Sequence, residues 1–422
     1  MEVLKNVLPN QDIDTESLAG KITTISNELC AGGLRFKDDI AIQIALAVHQ
    51  ISFSEFSLLR TQMQSMLLAY SQLPSLIQDN TLVQQWLRIS SEKMDLALQT
   101  LGGSESVSMA AFDLMGGRII DPNIDKTDVI GLIDPIQDVF TRQFPGLIDI
   151  RFRSLDSALR SKLEDLTGKK RPKVFILTES DNPFDAPQRA FAQKHNFDIG
   201  TIDDFNALIK EPGAIDIVVR TMSSRDIFDD PEKYKILLDA LANGLPMINP
   251  LMASFASNKA LIPLLIYDGA LNSEWFCSPR LIQGEQAISS SGNFIPSSDL
   301  AAELISNRKR FVIKEARQGG RVFIGAASEW TQSKWCSLVA HIIKTGDVYV
   351  VEDYYEQDKS SVMVGTRRNI RQEVKVKRLD LRGLLKVYAF YGQQDYIIAE
   401  MILGMTRNIN GSGFTIPVAF SE

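Results

Sequence analysis

The sequence predicts an α/β fold with α+β elements, on three observations. Apolar residues recur at helix spacing through positions 37–101, buried strands alternate with helices through 171–250, and short strands dominate from 311 onward. The 422 residues, 45% of them apolar and 23% charged, allow two or three domains around a sizeable core and argue against a disordered chain.

In the N-terminal region Ile40, Ile44 and Val48 are spaced as one helix face, and Phe56, Leu59, Met63 and Met66 as another. Ser52-Phe53-Ser54-Glu55 has the pattern of a capping box that starts the second of these helices. His49 and the methionines here read as core or surface residues without chemistry. Gly102-Gly103-Ser104 interrupts the pattern, and a short hairpin follows. The middle unit reads as a strand at 173–177, a helix at 186–194, a strand at 214–219, a helix at 231–242 stopped by Asn243-Gly244, and a strand at 246–249. A small doubly wound unit of this kind presents ligands at the C-terminal ends of its strands. The last part of the chain supplies strands at 311–314, 322–324, 349–352, 373–379, 384–391 and 396–400, and no internal repeat is found.

Composition narrows the function. With 45 basic and 52 acidic side chains the net charge is -7, which argues against broad nucleic-acid binding and leaves small phosphorylated ligands allowed. Cys30, Cys277 and Cys336 are far apart and match no metal-ligand spacing, so neither a zinc site nor a disulfide framework is expected. The first residues lack the apolar core of a signal peptide, and the apolar run at 260–267 is too short to cross a bilayer and contains Pro263. A cytoplasmic protein without a membrane partner is the expectation. P-loop, G-x-G-x-x-G, G-x-S-x-G and H-E-x-x-H patterns are all absent.

Two segments carry chemistry. In 311–325 a strand ending in Lys314 runs into a polar turn with Gly319-Gly320 and returns as a strand. Such a hairpin can lay backbone amides over a phosphate chain while the lysine meets the charge, although an ordinary hairpin with a surface lysine reads as well from this segment alone. In 111–123, a three-residue loop at Met115-Gly116-Gly117 would pair Leu114 with Arg118 and Ala111 with Asp121. Strand alternation then sets Asp113, Asp121 and Asn123 on one face, whereas a two-residue Gly-Gly loop would put the aspartates on opposite faces. Three converging oxygen donors suit Mg2+ bridging phosphates. The plain alternative is turn and strand-end aspartates making local hydrogen bonds, and Asp125 and Asp128 just beyond are expected to be bystanders.

The order of segments adds information. Ser257-Asn258-Lys259 leads into an apolar helix, Lys314 and the Gly-Gly turn follow, and an apolar strand then turns acidic at Glu352-Asp353-Tyr354-Tyr355. This order resembles the ATP-grasp superfamily. The oxygen-donor hairpin lies ahead of the α/β unit, which resembles the circularly permuted branch containing glutathionylspermidine synthase and eukaryotic-type glutathione synthetase. The resemblance covers the chain from about Ala110 onward, and it lies in the order of the motifs rather than in any one of them. It implies a circularly permuted ATP-grasp fold: a helical region at 1–104, a metal-binding hairpin with connecting helices at 105–170, a substrate-side α/β subdomain at 171–250, and a nucleotide-binding and lid region at 251–422.

The resemblance further implies ATP and Mg2+ as cofactors. Lys259 and Lys314 would grip the phosphates, Gln318, Gly319 and Gly320 would form the lid, and Glu352 with Asp353 would sit at the adenine and ribose edge. Asp113, Asp121 and Asn123 would hold the metal. The implied activity is that of an ADP-forming ligase joining a small-molecule carboxylate to an amine through an acyl phosphate, with no nucleic-acid partner; a homodimer is compatible with it. Replacing Lys259 or Lys314 is expected to weaken ATP binding and spare the fold.

Three positions depart from the family pattern. Ala111 stands where the family has an arginine that steadies the transferred phosphate, Asp121 replaces a glutamate, and Gln318 replaces an acidic metal ligand. Arg118, Arg317 or Arg321 could replace the missing arginine, since a guanidinium clamps phosphate from several directions. Arg220 matches a family arginine near bound substrates, and joins Arg317 and Arg321 as a catalytic candidate. The basic residues Arg367, Arg368, Arg371, Lys375, Lys377, Arg378 and Arg382 line an acidic substrate's channel or form a solvated strand face, and Arg407 and Gly411-Ser412-Gly413 are further candidates. The departures leave open a nucleotide-binding regulatory or partner protein that has lost turnover; a different acceptor would make the protein a phosphotransferase.

Overall fold

The computed structural model describes residues 6–7, 15–32, 35–36, 40–41, 44–46, 48–101, 105–127, 130–143, 154–180, 185–316, 323–326, 330–355, 360–366, 372–392, 397–404 and 414–421. They form a mixed α/β fold on three large sheets and a two-stranded ribbon. The largest sheet runs Asn6–Val7, Val48–Ser52, Phe414–Ser421, Ile44–Leu46, Ser360–Thr366, Lys375–Phe390, Met109–Met115 and Arg118–Asn123, with Ile397–Gly404 pairing to Lys375–Phe390 and Phe414–Ser421. The hairpin of the two aspartates is therefore one edge of this sheet. The strands expected separately at 373–379 and 384–391 are one, because Lys375–Phe390 pairs first with Ser360–Thr366 and then with the hairpin, and the ladder carries the backbone straight through.

The N-terminal region is only partly helical. Ile40, Ile44 and Val48 lie on the strands Ile40–Ala41, Ile44–Leu46 and Val48–Ser52, not on a helix. Two of these strands pair with the far end of the chain, Leu46 opposite Met363 and His49 opposite Val418, and such long-range pairing overrides local spacing where β-branched residues suit either state. The capping box is present: Ser52 Oγ accepts from Glu55 N at 3.2 Å, and Glu55 Oε2 accepts from Ser52 N at 2.8 Å. It starts the helix Phe53–Ser71, whose Leu59, Met63, Met66 and Tyr70 are buried. Tyr70 stacks on Phe112 of the hairpin with ring centroids 6.3 Å apart, so this helix supports the hairpin from below.

The middle unit is a parallel sheet ordered Met247–Ile248, Ile217–Arg220, Val174–Leu177 and Asp198–Gly200, the last being too short to show a sequence period. The third sheet is antiparallel: Phe294–Pro296, Gln286–Ile288, Arg280–Gln283, Tyr349–Asp353, Phe311–Glu315 and Phe323–Ala326. Helices Ser297–Ser306 and Gln332–Thr345 bury Leu300, Leu304, Trp335 and Val339 against Phe311, Ile313 and Val351. Alternation along those strands turns Lys314 and Glu352 to the opposite face, toward the hairpin.

Candidate functional site

The hairpin loop has two residues, not three. Met115 pairs with Arg118, and Gly116 and Gly117 both take positive φ, 57° and 77°, as a tight hairpin turn requires. A Cβ on Gly116 would also lie 2.4 Å from the Tyr355 ring. This loop by itself would set the aspartates on opposite faces. Beyond Leu114 and Ile119, however, the register shifts by one residue: Ile120 is bulged, Asp113 pairs directly with Asp121, and Ala111 pairs with Asn123. The bulge restores the shared face by a route that strand alternation does not foresee.

Three lysines meet the acidic groups here. Lys314 Nζ donates to Glu352 Oε2 at 2.6 Å and to the carbonyl of the bulged Ile120 at 2.8 Å. Burial opposes the charge on Lys314, but Glu352 and then Asp121 outweigh it and hold its pKa above the ordinary lysine value. Lys259 Nζ pairs with Asp121 Oδ1. Asp113 accepts from Asn123 Nδ2 at 3.1 Å through Oδ2, while its buried Oδ1 has no hydrogen-bond partner. Burial pushes the Asp113 carboxyl above the usual range, with Lys386 opposing and Asp121 adding to the rise. Lys386 lies opposite Asp113 on the neighbouring strand, its Nζ 3.5 Å from Oδ1. Sequence reasoning missed Lys386, a lone lysine between apolar residues; only the register with the hairpin reveals it.

The surrounding contacts fix these groups. Ser257 Oγ accepts from Ile124 N at 3.0 Å, Asn258 Nδ2 donates to Leu87 O at 3.2 Å, and Lys259 N donates to Ala316 O at 3.2 Å. Lys259 is thus tied to the hairpin, the helical region and the end of the Lys314 strand. Asn249 is fully buried; its Oδ1 accepts from Ser108 N and Met109 N at 3.0 and 2.8 Å, and its Nδ2 donates to Met109 O and Ile124 O, each at 2.6 Å. One side chain therefore fastens both arms of the hairpin to the parallel sheet.

Arg220 ends its strand as expected, and its guanidinium is turned into the protein interior. It is fully buried and donates to Asn249 O at 3.1 Å, Met222 O at 2.7 Å and Asp125 Oδ1 at 3.1 Å. Nor is Asp125 a bystander, for its Oδ2 also accepts from Ser223 Oγ and Ser224 N, each at 3.2 Å. Asp125→Asn keeps the shape but removes the charge facing a buried guanidinium, so urea unfolding should show a loss of about 1–3 kcal/mol.

Of the other expected residues, Glu352 is paired with Lys314, and Asp353 is held by Arg280 at 3.0 Å and Arg310 at 2.9 Å. Arg118, Lys375, Lys377 and Arg378 are exposed. Arg317, Gln318, Gly319, Gly320, Arg321, Asp128, Arg367, Arg368, Arg371, Arg407 and Gly411-Ser412-Gly413 lie outside the described residues. Burial, then Glu352, pushes the Cys277 thiol up to about 12, which keeps it protonated and inert. Ile119, Pro122, Lys259, Ile262, Phe276 and Glu352 border a narrow cleft beside the hairpin. Among the described residues no three His, Cys, Asp or Glu side chains gather as a metal site, so Asn123 would have to serve as the third donor of the hairpin.

No family model matches the sequence, and no curated protein matches it. A glutathione synthetase like-effector from Globodera pallida, in its apo form, superposes with a TM-score of 0.60 at 11% identity, over 98% of this chain and 99% of that chain. D-alanyl-alanine synthetase A from Vibrio cholerae O1 biovar eltor overlaps 58% of this chain and 74% of its own at 13% identity and a TM-score of 0.29. D-alanine-D-alanine ligase from Bacillus anthracis, complexed with ATP, overlaps 58% and 85% at 10% identity and a TM-score of 0.27. Superpositions as loose as these two carry no weight. The first shows the fold alone: this chain shares the mixed α/β architecture of that effector over nearly the whole of both chains. No helix among the described residues is long and apolar enough to cross a membrane.

Proposed function

We propose that the protein is an ATP-dependent, ADP-forming carboxylate-amine ligase of the circularly permuted ATP-grasp kind. One observation supports this above the rest: Lys259 and Lys314 both reach the hairpin of Asp113, Asp121 and Asn123, one from the turn before the helix Leu261–Tyr267 and the other from the antiparallel sheet. Two carboxylates and an amide suit a hard cation, and the buried Asp113 Oδ1, which closes no hydrogen bond, is a donor still available, so the residues fit Mg2+. Asp113, Asp121 and Asn123 would hold the ion, which when bound offsets negative charge on the phosphates. Lys259 and Lys314 would exchange their carboxylate partners for phosphate oxygens. The substrate carboxylate attacks the γ-phosphorus and ADP leaves; the amine then captures the acyl phosphate and phosphate leaves. Gln318, Gly319 and Gly320 keep their proposed role of covering the phosphates, with Arg317 or Arg321 on the transferred group.

The test is a screen of small acids and amines with ATP and Mg2+. It should find a pair that releases ADP and phosphate in equal amounts with the amide, and hydroxylamine should trap the acid when the amine is omitted. AMP and pyrophosphate matched to product contradict the mechanism. Ala111 opposite Asn123 places no cation there and favours one second reading, a nucleotide-binding regulatory protein, which ATP binding without ADP release would identify.

A further inference from the structure

We propose that Lys386 is a third phosphate-binding lysine, facing the terminal phosphate of the nucleotide; this rests on the ATP reading above. Register places it: Lys386 is opposite Asp113, and Asp113 opposite Asp121, so the three share one face across three adjacent strands. Its chain neighbours Leu385 and Val387 are buried on the other side, as alternation requires. The Lys386 side chain is 19% exposed, and withdrawing an ammonium from water to that extent costs free energy that a partner must offset. Asp113 approaches it at 3.5 Å, and Asp113 Oδ1 closes no hydrogen bond. Asp113 Oδ1 therefore retains capacity for a cation, and a phosphate drawn to that cation would lie on the face that Lys386 occupies.

The three lysines form an ordered row. Lys314 with Glu352 stands on the antiparallel sheet, Lys259 with Asp121 at the hairpin edge, and Lys386 with Asp113 one and two strands further in. A phosphate chain laid along this row with its base toward the antiparallel sheet meets Lys386 last. The contact is then to the γ-phosphate, which ATP has and ADP lacks.

Calorimetric titration of the full chain with Mg2+ plus ADP, and with Mg2+ plus a non-hydrolysable ATP analogue, tests this. Lys386→Met should weaken the analogue about tenfold and ADP less than about twofold, while Lys386→Arg retains most of the preference. Equal losses for the two nucleotides, or none, overturn the role of Lys386 and leave the ATP reading standing; a wild-type protein that binds neither overturns both. Should Lys386→Met fail to fold, labelling the native protein with an amine-reactive reagent decides: the analogue should protect Lys386 and ADP should not, and equal protection by both overturns the proposal.

Discussion

Lys314→Met is expected to cost about 3–5 kcal/mol in urea unfolding, because it leaves the mostly buried Glu352 carboxylate and the Ile120 carbonyl without their partner. This reverses the expectation from sequence that the fold is spared. A phosphate-binding lysine in an open cleft would be dispensable to folding, whereas this one bridges two sheets. Lys314→Met combined with Glu352→Leu should regain most of the stability, since replacing both members of a buried pair by apolar groups is often neutral. The double variant should still bind Mg2+ and ATP more weakly by roughly 1.5–3 kcal/mol, the worth of a charge-assisted phosphate contact. Unchanged affinity in the double variant would remove Lys314 from the nucleotide site.

Asn249→Ala should be as damaging. It deprives Ser108 N, Met109 N, Met109 O and Ile124 O of their partner in the interior, and at about 1–3 kcal/mol for each unsatisfied group the total reaches about 4 kcal/mol or more. Asn249→Asp is no remedy, because it keeps the acceptor but turns both donors into a charge facing two carbonyls. Hydrogen exchange should show the loss first at the amides of Ser108 and Met109. Unaltered protection there would mean that the hairpin does not depend on this amide.

The helical capping at Ser52 was legible because it rests on contacts within a few residues, and the parallel strands and the Lys314 strand because their own apolar runs mark them as buried strands whatever they pair with. The strands at Ile40, Ile44 and Val48 were not, since their partners lie at the other end of the chain. The aspartates shared a face as expected, yet through a bulge whose carbonyl is taken by Lys314, a contact invisible from the hairpin's own residues. Arg220 and Asp125 show the same limit from the other side. A strand end can be read from sequence, but whether its arginine turns outward or into a nest of carbonyls depends on what packs above it.

Mg2+ and ATP are expected to enter this site together. In the free protein Lys259 is paired with Asp121 and Lys314 with Glu352. Nucleotide alone would take the lysines and leave carboxylates unpaired, and metal alone would do the reverse, so each should bind poorly without the other. Calorimetric titration of the wild-type chain with ATP, once with excess Mg2+ and once with a chelator, measures this directly. Affinity should be at least about tenfold higher with Mg2+; equal affinity in the two conditions, or no binding in either, would contradict joint entry of metal and nucleotide.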